Sequence, residues 1–212
     1  MTGRMLVKLL LLLMLSEVLL FSVSEAKPWW GGSRRRRRRR HRASPPPCDS
    51  SSPSGIKWYN DWHQTFKFSC PPGRSLSQWK SIHRNCKEDR IHYFNCASGF
   101  CLGSSCRCAW SGHYEHDFDQ PLRFTCPHNG VITGVTSEYS GTHRDRRFGF
   151  RCCHRDGYKA HTCLSTRYEN VWDGDLDYTV EHDRYLVGVN SYHVDYYQDR
   201  RWSFHYCQVS KD

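Results

Sequence analysis

The side chains best suited to chemistry in this sequence are its histidines, carboxylates, serines and cysteines, so their spacing comes first. Twelve histidines follow Arg42. None falls in an H-E-x-x-H pair or another zinc-ligand spacing, and no serine sits in a G-x-S-x-G elbow. Asp173, Asp175, Asp177, Glu181 and Asp183 surround Tyr178, the acidic setting that tyrosine sulfation favours. Tyr178 nevertheless shares its repeat position with Phe68 and Phe124, which makes it a core aromatic. One charged pattern recurs: Asp89-Arg90, Asp145-Arg146 and Asp199-Arg200. Phe148 and Trp202 follow the second and third pairs, and His92 holds that place in the first. An arginine can grip a carboxylate through two hydrogen bonds while stacking on an aromatic face. An active site joins different groups in different roles. Three near-identical copies instead imply a motif that pins each repeat to a shared core, while any exposed copy could hold acidic sugars or an acidic partner. No catalytic, metal-binding or cofactor-binding set is expected.

The elements that position these pairs come from an internal repeat, with units at about 58–108, 114–163 and 168–207. Cys70, Cys126 and Val180 are equivalent positions, 56 and 54 residues apart. Aromatics precede them by eight residues (Trp62, Phe118, Trp172), and Leu76, Ile132 and Leu186 follow by six. Ser81, Ser137 and Ser191 follow by eleven. Phe66-x-Phe68 and Phe148-x-Phe150 alternate with the period of a half-buried strand, and Pro71-Pro72-Gly73 and Asn129-Gly130 mark turns. No stretch downstream of the N-terminal segment sustains helical periodicity. The expected fold is all-β and disulfide-stapled, with pseudo-threefold symmetry of the β-prism kind, a β-trefoil being the alternative.

All twelve cysteines lie between Cys48 and Cys207, downstream of a secretory signal, so they are expected to form disulfides. Cys70 and Cys96, like Cys126 and Cys152, are 26 residues apart at equivalent positions, and each pair is expected to close within its repeat. Val180 breaks the pattern in the third unit. Cys207 aligns with Cys153 rather than Cys152 and is expected to pair outside its repeat, Cys153 being one candidate. Cys48 either staples the N-terminal tail to the domain or joins two chains.

Residues 1–26 have the basic, apolar and small-residue layout of a signal peptide. Seven consecutive arginines, Arg34–Arg40, follow within residues 27–42. Arg40 and Arg42 end convertase-type cleavage patterns, so 27–42 reads as a basic propeptide and the secreted chain should begin near Ala43. Residues 1–42 contribute +9 of the formal net charge of +10, and the remainder is nearly neutral. The overall basicity is therefore no argument for nucleic-acid binding. A Pro/Ser-rich linker, 43–57, leads into the repeat domain, 58–212.

Three D-R-x-aromatic units, each closed by a cysteine seven or eight residues after the Asp, resemble the dermatopontin family. So do the vicinal Cys152-Cys153, the displaced Cys207, and the surroundings of Cys108 and Cys163. The resemblance spans about Trp58 to Cys207. Cys48, Cys86, Cys101 and Cys106 are additions to the family pattern, His92 departs from it, and the family's sulfated tyrosine-rich N-terminus is absent. The resemblance implies a secreted, non-enzymatic protein that binds extracellular-matrix components, glycosaminoglycans or cell-surface receptors and promotes adhesion or aggregation, with self-association as a further possibility. It implies no nucleic-acid partner and no stable membrane span. A cytotoxin or haemagglutinin of the same family, stored in a nematocyst, is the alternative.

Overall fold

The computed structural model describes Cys48, Ser51, residues 55–101 and residues 106–212. The expected signal peptide, the propeptide with Arg40 and Arg42, and most of the linker lie outside the described residues. The fold is all-β: every regular element among the described residues is a strand. Repeat one forms β1 (Phe66–Ser69), β2 (Arg74–Arg84), β3 (Asp89–Ser98) and β4 (Cys106–Trp110). Repeat two forms β5 (Leu122–Thr125), β6 (Val131–Ser140), β7 (Asp145–Arg155) and β8 (Tyr158–Ser165). Repeat three forms β9 (Leu176–Thr179), β10 (Tyr185–Val194) and β11 (Asp199–Lys211).

Strands β2–β3, β6–β7 and β10–β11 are long antiparallel hairpins. Each turn ends on a residue in the left-handed region: Glu88, Arg144 and Gln198, with φ near 50°. That conformation returns the chain into the following Asp-Arg pair. Each hairpin then takes a short strand from another repeat. β1 pairs with β6, β5 with β10, and β9 with β2. The register recurs too: Phe66, Leu122 and Leu176 face Ser137, Ser191 and Ser81. The resulting sheets run β1-β6-β7-β4, β5-β10-β11-β8 and β3-β2-β9. A bulge interrupts every hairpin just before these added strands, between Leu76 and Gln78, Ile132 and Gly134, and Leu186 and Gly188.

The inward faces share one apolar cluster. Trp79 and Trp202 lie 4.9 Å apart between ring centroids, and Phe148 meets Trp202 edge-on at 4.8 Å. His92 occupies the equivalent position in repeat one and is also fully buried. Its Nδ1 accepts the Trp79 indole N–H at 3.1 Å. Burial, reinforced by the nearby Arg146 and Arg90 cations, holds its pKa well below the usual imidazole value. His92 therefore serves the core as a neutral ring. Tyr178 is buried and stacked on Phe204 at 4.1 Å.

Six disulfides join all twelve cysteines. Cys70–Cys96 and Cys126–Cys152 each close within one repeat. In repeat three Val180 and Tyr206 take those positions, and the Tyr206 hydroxyl donates to Glu181 at 2.9 Å. The candidate Cys153–Cys207 bond is corrected. Cys153 joins Cys108, which faces it directly in the β4–β7 register, and Cys207 joins Cys163 across β8–β11. The two bonds are equivalent to each other, each joining neighbouring strands across a separation of 45 or 44 residues. Cys48 joins Cys86, stapling the tail to the domain, and Cys101 joins Cys106. The four cysteines that depart from the family pattern thus pair among themselves.

Gly188 shows how closely the exchanged strands approach. A Cβ there would lie 2.5 Å from the Phe124 carbonyl oxygen of β5. Gly188→Ala should therefore loosen the β5–β10 pairing and cost about 1–3 kcal/mol, read as a lower midpoint in denaturant unfolding. An unchanged midpoint would contradict this packing.

Candidate functional site

The three Asp-Arg pairs form a closed circuit. Arg90 reaches Asp199, Nε to Oδ1 at 2.6 Å and Nη2 to Oδ2 at 2.8 Å. Arg200 holds Asp145 with two contacts of 2.6 Å, and Arg146 holds Asp89 at 2.6 and 2.9 Å. Every arginine thus bonds the aspartate of a different repeat, never its own sequence neighbour. All six side chains are at most 5 % exposed. Each carboxylate Oδ2 also accepts a backbone amide from its own repeat: His63 for Asp89, Asp119 for Asp145 and Asp173 for Asp199. Those three donors share a left-handed φ near 60°. The arginines further donate to the carbonyls of Gly174, Gln64 and Gln120. Charges buried this deeply are tolerable only when paired and hydrogen-bonded in this way. The circuit is chemically uniform and neutral, with no nucleophile or base set apart from the rest.

Inside it lies a cavity of about 20 Å³ lined by the motif arginines and aspartates together with His92, Phe148 and Trp202. Arg200 Nη1, Trp202 Nε1 and His92 Nε2 are buried donors with no hydrogen-bond partner among the described residues. The space is enough for one water.

A second set of residues clamps the motif and has no signature in the local sequence. Asn60 and Asn170 accept the backbone amides of His92 and Trp202, both at 2.9 Å. Their side-chain amides return a hydrogen bond to the carbonyls of Arg90 and Arg200. At the equivalent position repeat two has His116, whose Nε2 accepts the Phe148 amide at 3.1 Å while Nδ1 donates to the Asp117 carbonyl at 2.7 Å. Only alignment of the three repeats at the residue ten before each reference position could have revealed them.

Facing solvent, repeats two and three carry the same arginine–aromatic arrangement. Arg147 lies over Tyr114 at 4.5 Å and Phe118 at 5.0 Å. Arg201 lies over Tyr168 at 5.0 Å and Trp172 at 5.8 Å. Repeat one has buried Ile91 instead and lacks the site. Arg147 and Tyr114 border a cavity of about 460 Å³. Beside Arg201, Trp172 stacks on Tyr197 at 4.9 Å, and Tyr196 is 86 % exposed. In repeats two and three the residue after the motif arginine, rather than the motif pair itself, thus reaches the surface.

A family model described as Dermatopontin matches residues 60–211. Among curated proteins, the chain is 39 % identical to "Hemagglutinin/amebocyte aggregation factor" of Limulus polyphemus, over 72 % of this chain and 87 % of that protein. It is 33 % identical to "Millepora cytotoxin-1" of Millepora dichotoma, over 70 % of this chain and 65 % of that one. It is 32 % identical to "Dermatopontin" of Biomphalaria glabrata, over 68 % and 95 %. No solved structure matches.

His116 makes the clamp sensitive to acid. Burial, aided by the Arg200 cation, lowers its pKa from 6.5 to about 4. As pH falls below 6.5 the unfolded chain takes up a proton that the folded chain refuses until about pH 4. Stability present above that window is lost on descending through it, by at most about 3 kcal/mol, and buried His92 acts in the same direction. His116→Asn, which supplies the acceptor used in the other two repeats, should flatten this dependence in thermal unfolding followed across the window. An equally steep profile would contradict the assignment.

Proposed function

The chain belongs to the dermatopontin family, and from that membership we propose that it is a secreted, non-enzymatic adhesive protein that bridges cell surfaces or matrix by binding acidic glycans. The relatives' names support an adhesion-like or toxin function. The observation that carries the glycan reading is the pair of solvent-facing arginine–aromatic sandwiches, Tyr114–Arg147–Phe118 and Tyr168–Arg201–Trp172. An aromatic face packs on the apolar side of a sugar ring, and a guanidinium beside it bonds sulfate or carboxylate through its remaining N–H groups. Arg147 already holds Glu138 at 3.0 Å, and Arg201 the Asn170 carbonyl at 2.9 Å. Two such faces on one chain permit bridging, because the second contact forms at high effective concentration.

The same strand exchange and the same Arg–Asp bridge at each of three junctions support an arrangement with pseudo-threefold symmetry. Three separate sheets favour the β-prism kind over the trefoil. In this reading Asp89, Arg90, Asp145, Arg146, Asp199 and Arg200, with Phe148 and Trp202, are structural. Glycosaminoglycans, matrix proteins and cell-surface receptors are the partner classes, the mature chain begins near Ala43, and the protein acts outside the cell. Among the described residues no helix is long and apolar enough to cross a membrane. The second reading, a cytotoxin, rests on the Millepora relative.

Erythrocytes mixed with the purified protein distinguish the two readings. Clumping without haemoglobin release is expected, competed by heparin. Arg147→Ala or Arg201→Ala should weaken clumping several-fold, and the double variant should abolish it. Haemoglobin release at low concentration would put the cytotoxin first, and clumping unchanged in the double variant would remove the sandwiches from the account.

A further inference from the structure

Where repeats meet, just outside the Asp–Arg circuit, the fold gathers further ionisable groups from distant parts of the chain. Asp173 meets His83, Oδ1 to Nδ1 at 3.4 Å, and at the equivalent junction Asp119 meets His193 at the same 3.4 Å. At the third junction the corresponding residues are His63 and Tyr139, which stack at 4.4 Å. Candidate ligand atoms of His83, Asp173 and Asp199 lie within 4.8 Å of one another, as do those of His193, Asp119 and Asp145. Both imidazoles are at most 1 % exposed.

These contacts are too long for charge-assisted hydrogen bonds, which close to about 2.7–2.9 Å. Asp173 Oδ1, Asp119 Oδ1 and both ring nitrogens of His193 are buried with no hydrogen-bond partner among the described residues. At the first junction the surroundings fix the tautomer. His83 Nε2 faces the Gln198 carbonyl at 3.2 Å and donates there, so the neutral ring presents a lone pair at Nδ1. That lone pair meets only acceptors, Asn85 Oδ1 at 3.1 Å and Asp173 Oδ1 at 3.4 Å. Asn85 Nδ2 donates to the other Asp173 oxygen at 3.2 Å, which fixes the amide orientation. At the second junction His143 Nδ1 lies 2.7 Å from Asp119 Oδ2, leaving Oδ1 turned to His193, and exposed Asp195 lies 3.4 Å from the same His193 nitrogen. Acceptors converging on one point leave a place for positive charge there, supplied either by a proton on the ring nitrogen or by a metal ion. A tetrahedral ion bonded at about 2.0–2.2 Å holds its imidazole nitrogen and carboxylate oxygen about 3.4 Å apart, the separation found at both junctions.

We propose that the His83–Asp173 and His193–Asp119 junctions are two binding sites for a divalent cation of the zinc class. His Nδ1 and Asp Oδ1 are the ligands, with Asn85 Oδ1 completing the first site and Asp195 within reach of the second. Imidazole selects zinc, nickel or copper over calcium and magnesium. The His83–Gln198 hydrogen bond and the His143–Asp119 contact orient the ligands, the role such outer partners play in metal sites. Asp199 and Asp145, the other carboxylates near each site, remain bonded to Arg90 and Arg200.

The test is equilibrium dialysis of the chelator-treated, disulfide-intact protein against micromolar Zn²⁺ at neutral pH. Two ions per chain are expected, one at each His–Asp junction, undisturbed by excess Ca²⁺. His83→Gln and His193→Gln should each remove one ion, and the double variant both. No uptake, or uptake that survives in the double variant through surface pairs such as His128 and His154, overturns the proposal. A readout independent of folding in the variants comes from imidazole NMR signals of the unmodified protein. Zinc should shift those of the two buried rings, whereas shifts confined to exposed histidines would also overturn it.

Discussion

Everything in this fold hangs on charges that no repeat can neutralise alone. Each unit buries one aspartate and one arginine that are neighbours in sequence, and the geometry denies them to each other. Arg90 takes Asp199, Arg200 takes Asp145, and Arg146 takes Asp89. The circuit closes only when all three copies are present. Removing one member of a buried pair costs about 3–5 kcal/mol, because its partner is left charged and dry. Against a typical total of about 5–15 kcal/mol, one broken link endangers the domain. Such bridges contribute less to net stability than to specificity. A slipped junction or a wrong repeat order would strand an ion, whereas apolar packing alone would tolerate it.

Strand exchange follows the same direction around the circuit. β1, β5 and β9 leave their own repeats and complete the hairpins of others, so hydrogen-bonded ladders and ion pairs cross the same junctions. Disulfides tie the same hairpins covalently. Repeat three does without its internal bond, with Val180 and Tyr206 in place of two cysteines. Because the interior is fixed so firmly, side chains one step beyond the motif are free to differ. Ile91 is buried, while Arg147 and Arg201 face outward between aromatics. The outer surface is thus asymmetric although the buried Asp-Arg motif recurs three times.

Much of this was legible in the sequence for a physical reason: whatever recurs must satisfy the same packing three times. The period-2 strands and the buried position of Tyr178 both follow from that recurrence. Partner choice is less legible, since it depends on register. The bonds Cys108–Cys153 and Cys163–Cys207 are equivalent to each other and are made by strands lying side by side, but their equivalence alone does not say which strand lies beside which. Likewise His116 stands in for Asn60 and Asn170 because one ring nitrogen can accept where an amide oxygen does, a likeness of geometry rather than of residue type. The His83–Asp173 and His193–Asp119 junctions join residues far apart in the chain, so no ligand spacing could announce them.

The direct test of the closed circuit is a double-mutant cycle on Arg146→Met with Asp89→Asn, repeated with Asp145→Asn, read by denaturant unfolding. Arg146 should couple strongly to Asp89, 57 residues away, with the double variant losing at least about 2 kcal/mol less than the sum of the singles. Coupling to its sequence neighbour Asp145 should be markedly weaker. Additive losses at Asp89, or stronger coupling to Asp145, would contradict the circuit.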